Sequence, residues 1–254
     1  MKTLVIIPSR LSATRLKGKP LLKINGLSII SHVFRKAEAA SIGEVVVAAE
    51  DQEIIDDVKQ NGGQAILTKN YHKTGTDRIY EALQIVGSSN IDLIMNLQGD
   101  EPLMDINDIK NLNNMMIKNN SELGTLASNI SNKKLYQDQN VVKVITKESL
   151  DKSNFPAAIN FTRNIINESE NIYHHLGIYC YKLDTLKKFV SFKQSKNEIN
   201  NRLEQMRALD NKIKINIAHA KYSPIGVDTE EDFVAIKKIM EYKSWWVKFI
   251  FKVL

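Results

Sequence analysis

Leu4-Val5-Ile6-Ile7-Pro8-Ser9-Arg10 opens the chain on a short, uninterrupted apolar run closed by proline. A run without polar alternation reads as a strand buried on both faces, the form strands take in parallel sheets. Outward from it the period changes. Ser28 to Ala40 sets Ile29, Ile30, Val33, Phe34, Ala37 and Ala40 on one helical face, with Arg35 and Lys36 away from it. Glu44 to Ala49, holding Val45-Val46-Val47, is a second strand, and Asp51 to Gln60 a helix ended by Gly62-Gly63. Gln64 to Thr68 is a third strand, Thr76 to Val86 a helix through Ile79, Leu83 and Val86, and Ile91 to Leu97 a fourth strand. Strand and helix alternating over short connections predict an α/β fold, a mostly parallel sheet flanked by helices on both faces. Ligands of such sheets sit beyond the carboxyl ends of the strands, so the chemistry is expected just after them.

Beyond residue 140 the pattern is less regular. Val141 to Thr146 and His175 to Tyr181 read as strands, with an Asn-rich stretch from Ile165 to Asn171 between them. Asn154 to Val190 reads as an inserted lobe or dimer arm, Asn201 to Leu209 as a helix, and Ile213 to Ala218 as a strand. Thr229-Glu230-Glu231-Asp232 then opens a last helix, a capping threonine followed by acids that complement the helix dipole. Residues 1–242 are thus expected to form a single domain, with 243–254 as an apolar, basic tail.

Composition narrows the class. With 254 residues, 43% apolar and 25% charged, the chain has the balance of an ordinary soluble globular protein. The net charge of +6 suits anionic ligands, nucleic acid or a membrane surface, and a lysine-rich solvated surface accounts for it equally. A lone cysteine, Cys180, rules out an internal disulfide and a cysteine-based zinc site, and its apolar surroundings predict a buried, inert thiol. The opening apolar run is too short for a signal segment or a span, so a cytoplasmic setting is expected.

The first strand empties into Pro8-Ser9-Arg10-Leu11-Ser12-Ala13-Thr14-Arg15-Leu16-Lys17-Gly18-Lys19-Pro20, a loop with four cations and no acid. Such a loop suits a nucleoside triphosphate, with about four negative charges, although a solvated basic loop has the same composition. It is neither a Walker A loop, since Pro20 follows Gly18-Lys19, nor a G-x-G-x-x-G. Asp100 follows the fourth strand in Gln98-Gly99-Asp100-Glu101-Pro102, and Asp228 stands just before the last helix. Either could be plain turn or cap chemistry. Together with the cationic loop they fit Mg²⁺-assisted nucleotidyl transfer, because Mg²⁺ needs only one or two carboxylates. His174 and His175 would point to opposite faces of a strand, so at most one lines a site. No H-E-x-x-H or G-x-S-x-G is present, and a covalent mechanism has no support.

These motifs together resemble the bacterial CMP-Kdo synthetases (3-deoxy-manno-octulosonate cytidylyltransferases). Ile7-Pro8-Ser9-Arg10 with Thr14-Arg15-Leu16-Lys17-Gly18-Lys19-Pro20-Leu21 is similar to the family's opening. Thr74-Gly75-Thr76-Asp77-Arg78, Asn96-Leu97-Gln98-Gly99-Asp100-Glu101-Pro102, Phe161-Thr162-Arg163, His175-Leu176-Gly177-Ile178-Tyr179, Leu203-Glu204-Gln205-Met206-Arg207 and Val227-Asp228-Thr229 follow in order. The resemblance implies a homodimer with a Rossmann-like nucleotidyltransferase core. It would join CMP from CTP to the anomeric hydroxyl of Kdo, with Mg²⁺ and release of pyrophosphate, for lipopolysaccharide biosynthesis. By position, Arg10, Arg15 and Lys19 would hold CTP phosphates, Thr74 and Arg78 the cytidine end, and Asp100 and Asp228 the metal. Arg10, Lys19, Asp100 and Asp228 would carry the catalysis. Gln98, Arg163, His175, Glu204 and Gln205 would line the sugar-acid pocket, where a guanidinium can grip a carboxylate in two places. No nucleic-acid partner is implied.

Some positions depart from the family pattern. Ala13 replaces a serine, with Ser12 one place earlier; Lys17 replaces a proline; Ile166 marks a changed segment after Arg163; and Ser223-Pro224-Ile225-Gly226 replaces P-G-T-G before Asp228. Residues 243–254, Lys-Ser-Trp-Trp-Val-Lys-Phe-Ile-Phe-Lys-Val-Leu, lie outside the match and hold both tryptophans. That tail is far shorter than the roughly 20 residues a span needs, so it either packs on the protein or lies in a membrane surface as a peripheral contact. An 8-amino version of Kdo, a sialic acid, or a non-catalytic nucleotide-binding role are the competing readings.

Overall fold

A computed structural model of the chain describes every residue except 13–14, 131–132, 166–170 and 254, and is silent on the side chains of 133 and 243–253. The departures at Ala13 and Ile166 and the side chains of the tail therefore lie outside the described residues.

The expected alternation is present. β1 (Thr3–Ser9) is followed by a small hairpin, β2 (Lys23–Ile24) and β3 (Leu27–Ser28), and then by α1 (Ile29–Ala40). β4 (Gly43–Ala49), α2 (Gln52–Gln60), β5 (Ala65–Leu67), α3 (Gly75–Val86) and β6 (Leu93–Asn96) complete the first half. The second half holds α4 (Ile106–Asn119), β7 (Leu123–Ser128), α5 (Lys133–Gln137), β8 (Lys143–Thr146), β9 (Ala158–Thr162) and β10 (Ile172–Lys182). α6 (Leu183–Ser191), α7 (Lys196–Asn201), α8 (Met206–Asp210), β11 (Ile215–His219) and α9 (Glu230–Val253) close the chain.

The main sheet runs β11-β7-β10-β6-β1-β4-β5, with β8 joined to β10 and β9 to β8. β4, β1 and β6 pair in parallel, as do β4 with β5 and β7 with β11, whereas β10 runs antiparallel to both its neighbours. Val5 and Ile7 face α1, α2 and α4 in one core, while Leu4 and Ile6 face α3, α6 and α8 in the other. Each is fully buried, which stabilises the fold by about 1.5–3 kcal/mol per side chain. Cys180 belongs to the first core and has no exposed surface.

Several elements came unannounced, α4 and β7 the most consequential for the main sheet. α4 is rich in asparagine, a weak helix former, and it forms because Ile109, Leu112 and Met116 bury one face against β7. β7 carries Gly124, Thr125 and Ser128, which break an apolar pattern; a Cβ on Gly124 would lie 2.7 Å from Met116 Sδ, so the helix packs directly on backbone. Of the helix expected over 201–209, only the second half is helical, as α8, and α7 ends where that span begins. Arg202, at φ 53°, ends α7 in the left-handed region, and Leu203, Glu204 and Gln205 form the joint before α8. Of the segment read as a lobe, β9 lies off the main path, whereas β10 from Tyr179 onward sits inside the sheet between β6 and β7.

Candidate active site

The carboxyl ends of β1 and β6 open on a cavity of about 320 Å³, lined by Arg10, Arg15, Lys19, Thr74, Arg78, Gln98, Asp100 and Asp228. Eight of the twelve residues singled out in the sequence thus surround one space. The cationic loop is anchored at its root by Leu11 N–H donating to Asp51 (2.7 Å) and Ser12 Oγ to Glu50 (3.3 Å), both acids at the end of β4. Farther along, Gly18 takes φ 66°, a left-handed turn that aims Lys19 back into the cavity. From β6, Gly99 brings Asp100 in closely: a Cβ there would lie 2.9 Å from Pro8 O and 3.0 Å from Ile30 Cδ1.

Asp228 arrives from the far end of the chain. Val227 N–H donates to Asp100 O (2.9 Å), and the α9 cap fixes the next residues, with Thr229 N–H donating to Asp232 Oδ2 (2.9 Å) and Asp232 N–H to Thr229 Oγ1 (3.2 Å). Lys19 Nζ then lies 2.6 Å from Asp100 Oδ2 and 3.3 Å from Asp228 Oδ1, and Arg15 Nη2 is 3.1 Å from the same Asp228 oxygen. One ammonium spans both aspartates, so the two carboxylates converge.

Glu101, quoted in the motif but given no role there, is the group the sequence reading missed. Burial, then the charges of Asp100 and Asp228, push its carboxyl up to about 8, against the opposing pull of Lys19. Its Oε2 is buried with no partner among the described residues. Among the described residues no three His, Cys, Asp or Glu side chains form a ready metal cage. A Mg²⁺ ion needs less: two converging carboxylates, the remainder being water and phosphate oxygens. Two converging carboxylates with a lysine ammonium already standing between them fit a divalent cation.

The N-terminus of α3 forms another wall. Thr74 caps it by accepting from Asp77 N–H (3.2 Å), leaving the first-turn N–H groups toward the cavity, where Lys73 adds a cation. Arg78 lines the same wall, but its guanidinium is committed: it pairs with Glu50 and donates to Thr68 Oγ1 (2.7 Å) and Lys69 O (3.2 Å).

Gln98, His175 and Glu204 surround the irregularity in β10 between Leu176 and Tyr179, a bulge of the kind that re-aims side chains beside sites. Gln98 Nε2 donates to Gly177 O (3.1 Å). Glu204, raised by burial and held back by hydrogen bonds from Thr76 and Thr74, keeps Oε1 buried and unpartnered among the described residues. Gln205 is buried at the start of α8. The two histidines do part company: His174 meets Ser223, and His175 is buried against Phe161 and Tyr179. Thr125 Oγ1 lies 2.6 Å from Ile178 O and 3.1 Å from Leu176 O, both pure acceptors, so its one proton goes to them and His175 Nε2–H, 3.0 Å away, must donate to it. Nδ1 is then the bare nitrogen. Burial, with a smaller push from His174, takes the pKa of His175 down to about 3, so the ring is neutral. Arg163 stands apart from the cavity at the end of β9, its guanidinium bonded to the carbonyls of Gln139, Asn140 and Asn201.

The cytidylyltransferase family model matches residues 4–215. The 3-deoxy-manno-octulosonate cytidylyltransferase of Nitrobacter winogradskyi is 39% identical over 241 residues, 94% of each chain. That of Rhodopseudomonas palustris is 38% identical over 243 residues, 95% of this chain and 98% of the relative. Among solved structures, a CMP:2-keto-3-deoxy-manno-octonic acid synthetase complexed with CTP superposes with a TM-score of 0.87 at 32% identity, over 96% of this chain and all of that one. The chain belongs to the cytidylyltransferases, in the family of the 3-deoxy-manno-octulosonate cytidylyltransferases.

Proposed function

We propose that this protein joins CMP from CTP to the anomeric 2-hydroxyl of Kdo, giving CMP-Kdo and pyrophosphate for lipopolysaccharide biosynthesis. The observation that carries the reading is the ammonium of Lys19 spanning Asp100 and Asp228 at the mouth of a strand-end cavity rimmed by Arg10 and Arg15. Asp100 and Asp228 are the residues that would hold Mg²⁺, which when bound offsets charge at the α-phosphate.

The chain's own residues do the rest. Arg10, Arg15 and Lys19 bind the phosphates, and Lys19 donates to the leaving pyrophosphate. Thr74 and the start of α3 meet the cytidine end, with Arg78 holding that wall in place through Glu50. Gln98, His175, Glu204 and Gln205 receive the sugar hydroxyls, and Arg163 takes the substrate carboxylate, a charge that the neutral His175 ring cannot balance. The sugar oxygen forms its bond to the α-phosphorus as the bond to pyrophosphate breaks, and the hydroxyl proton is released.

The test is pyrophosphate release with CTP and Kdo, 8-amino-Kdo or a sialic acid offered singly. Release with Kdo is expected; CTP binding with no release from any of them would leave a non-catalytic nucleotide-binding protein.

We further infer a homodimer built through β8 and β9, a reading supported by Ile159 on β9, which is 60% exposed, and tested by sedimentation velocity. A cytoplasmic setting follows from the use of CTP. No helix among the described residues is long and apolar enough to cross a membrane. α9 continues to Val253, past the family match, and the lysine, tryptophan and phenylalanine content of 243–254 supports a peripheral contact with the inner membrane face. Equal pelleting with anionic vesicles by the full chain and a truncation after Tyr242 would end that idea.

A further inference from the structure

Lys143 is a lysine where the fold has no need of one. It lies in β8 between Thr162 of β9 and His174 of β10 and has no exposed surface. A sealed ammonium is costly unless paired, and an apolar side chain of the same length would fill the place without that cost. Among the described residues its hydrogen bonds go only to backbone, Nζ donating to Asp138 O at 2.6 Å and to Arg163 O at 2.9 Å, and it forms no salt bridge there. Burial and the neighbouring charge of Arg163 lower its pKa, with the Asp138 carboxylate opposing.

Those two carbonyls frame a single object. The turn whose first carbonyl Lys143 holds also supplies Gln139 O and Asn140 O, which accept from Arg163 Nη1 at 3.1 and 3.3 Å. Arg163 Nε reaches Asn201 O at 3.4 Å, and Nη2 makes no hydrogen bond among the described residues. The guanidinium is thus held at Nε and at Nη1, and Nη2 is the nitrogen with no hydrogen bond among the described residues. Lys143 grips the clamp from behind, on one side through the turn and on the other through the main chain of Arg163 itself.

We propose that Lys143 is a positioning residue for recognition of the sugar-acid carboxylate, holding the backbone of Arg163 and the 138–140 turn so that the guanidinium presents Nη2 to the substrate. This rests on the reading of Arg163 as the carboxylate's partner. Without the ammonium, the β8–β9 ladder remains but the bonds that tie the turn and the Arg163 carbonyl to one another are lost, and the guanidinium loses its fixed placement.

The experiment is a double-mutant cycle on the full-length enzyme, with Lys143→Met, Arg163→Ala and the pair, following KM for Kdo, KM for CTP and kcat. Lys143→Met is expected to raise KM for Kdo by about tenfold or more, with KM for CTP within about twofold of the parent. On the Arg163→Ala background the same change should add nothing, because the group it positions is gone. Lys143→Gln keeps an amide donor and should recover part of the loss; it also carries the measurement should the methionine variant not fold. The proposal is overturned if KM for Kdo stays at the parent value in both Lys143 variants. Equal factors on both substrates, or full effect in the absence of Arg163, would overturn it too, since both mark a general structural role. An unchanged KM for Kdo in Arg163→Ala alone would remove the reading of Arg163, and the role of Lys143 with it.

Discussion

Lowering the pH should cost this protein stability through one buried ring. His175 is 7% exposed, its Nε2–H is committed to Thr125, and its pKa stands at about 3 against an ordinary 6.5. The native state therefore keeps it neutral while the unfolded chain takes up a proton below pH 6.5. The unfolded state binds more protons in the window from 6.5 down to 3, so the contribution is complete above 6.5 and is lost as pH falls through that window. At pH 5 the unfolded imidazole is about 1.5 pH units below its pKa, worth roughly 2 kcal/mol at about 1.4 kcal/mol per unit. At pH 7.5 the difference is near zero. Urea unfolding of the parent and of His175→Gln at pH 7.5, 6 and 5 isolates the effect. His174 and His32, also lowered by burial, remain in both proteins, so the difference reports His175. The parent should lose about 2 kcal/mol more than the variant between pH 7.5 and 5. Parallel stability curves for the two proteins would refute the reasoning, since they would mean that His175 is protonated or hydrated in the folded state.

Asp100→Asn should lower pyrophosphate release by roughly a hundred- to a thousandfold, the scale of a lost electrostatic group, while circular dichroism and the melting temperature stay near the parent's; near-normal turnover would remove Asp100 from the metal site. Glu198→Ala should cost about 3–5 kcal/mol in urea unfolding, because Arg207, bonded to Glu198 at 2.8 Å and 3% exposed, would be left as a buried unpaired cation; a loss under about 1 kcal/mol would show that water reaches it. Gly99→Ala should both destabilise, by about 1–3 kcal/mol, and impair turnover, because the added methyl meets Pro8 O and forces Asp100 outward. Stability lost with turnover intact would separate the glycine from the site. Chelation should abolish turnover and addition of Mg²⁺ restore it, with pyrophosphate release as the readout.

The first half of the fold was open to inspection in the chain itself. Val5 and Ile7, the Ile29 to Ala40 stripe and the run from Ile91 to Leu97 state their period locally, since burial on one or both faces selects apolar residues at strand or helix spacing. The strand ends could be picked out for the same reason, and Arg10, Lys19 and Asp100 with them. α4 escaped because asparagine weakens its intrinsic preference, and β7 because Gly124 and Thr125 interrupt it; packing against Met116 and the hydrogen bonds of Thr125 decide those elements, and neither is local. The break at Arg202 was hidden likewise, as a left-handed residue other than glycine carries no sign in composition.

What only the tertiary structure decided is the meeting of distant charges. The sequence by itself named Asp100 and Asp228 as candidates but left their distance open, and it is the Val227–Asp100 backbone bond and the α9 cap that close it. It marked Arg78 as a ligand contact, where the structure commits the guanidinium to Glu50, and it passed over Glu101 and Lys143, whose chemistry comes from burial and from the charges brought beside them. A side chain's solvation and the charges around it depend on segments far away in the chain, so a residue's type can be read where it stands, while its ionisation, reach and partners exist only once the chain has folded.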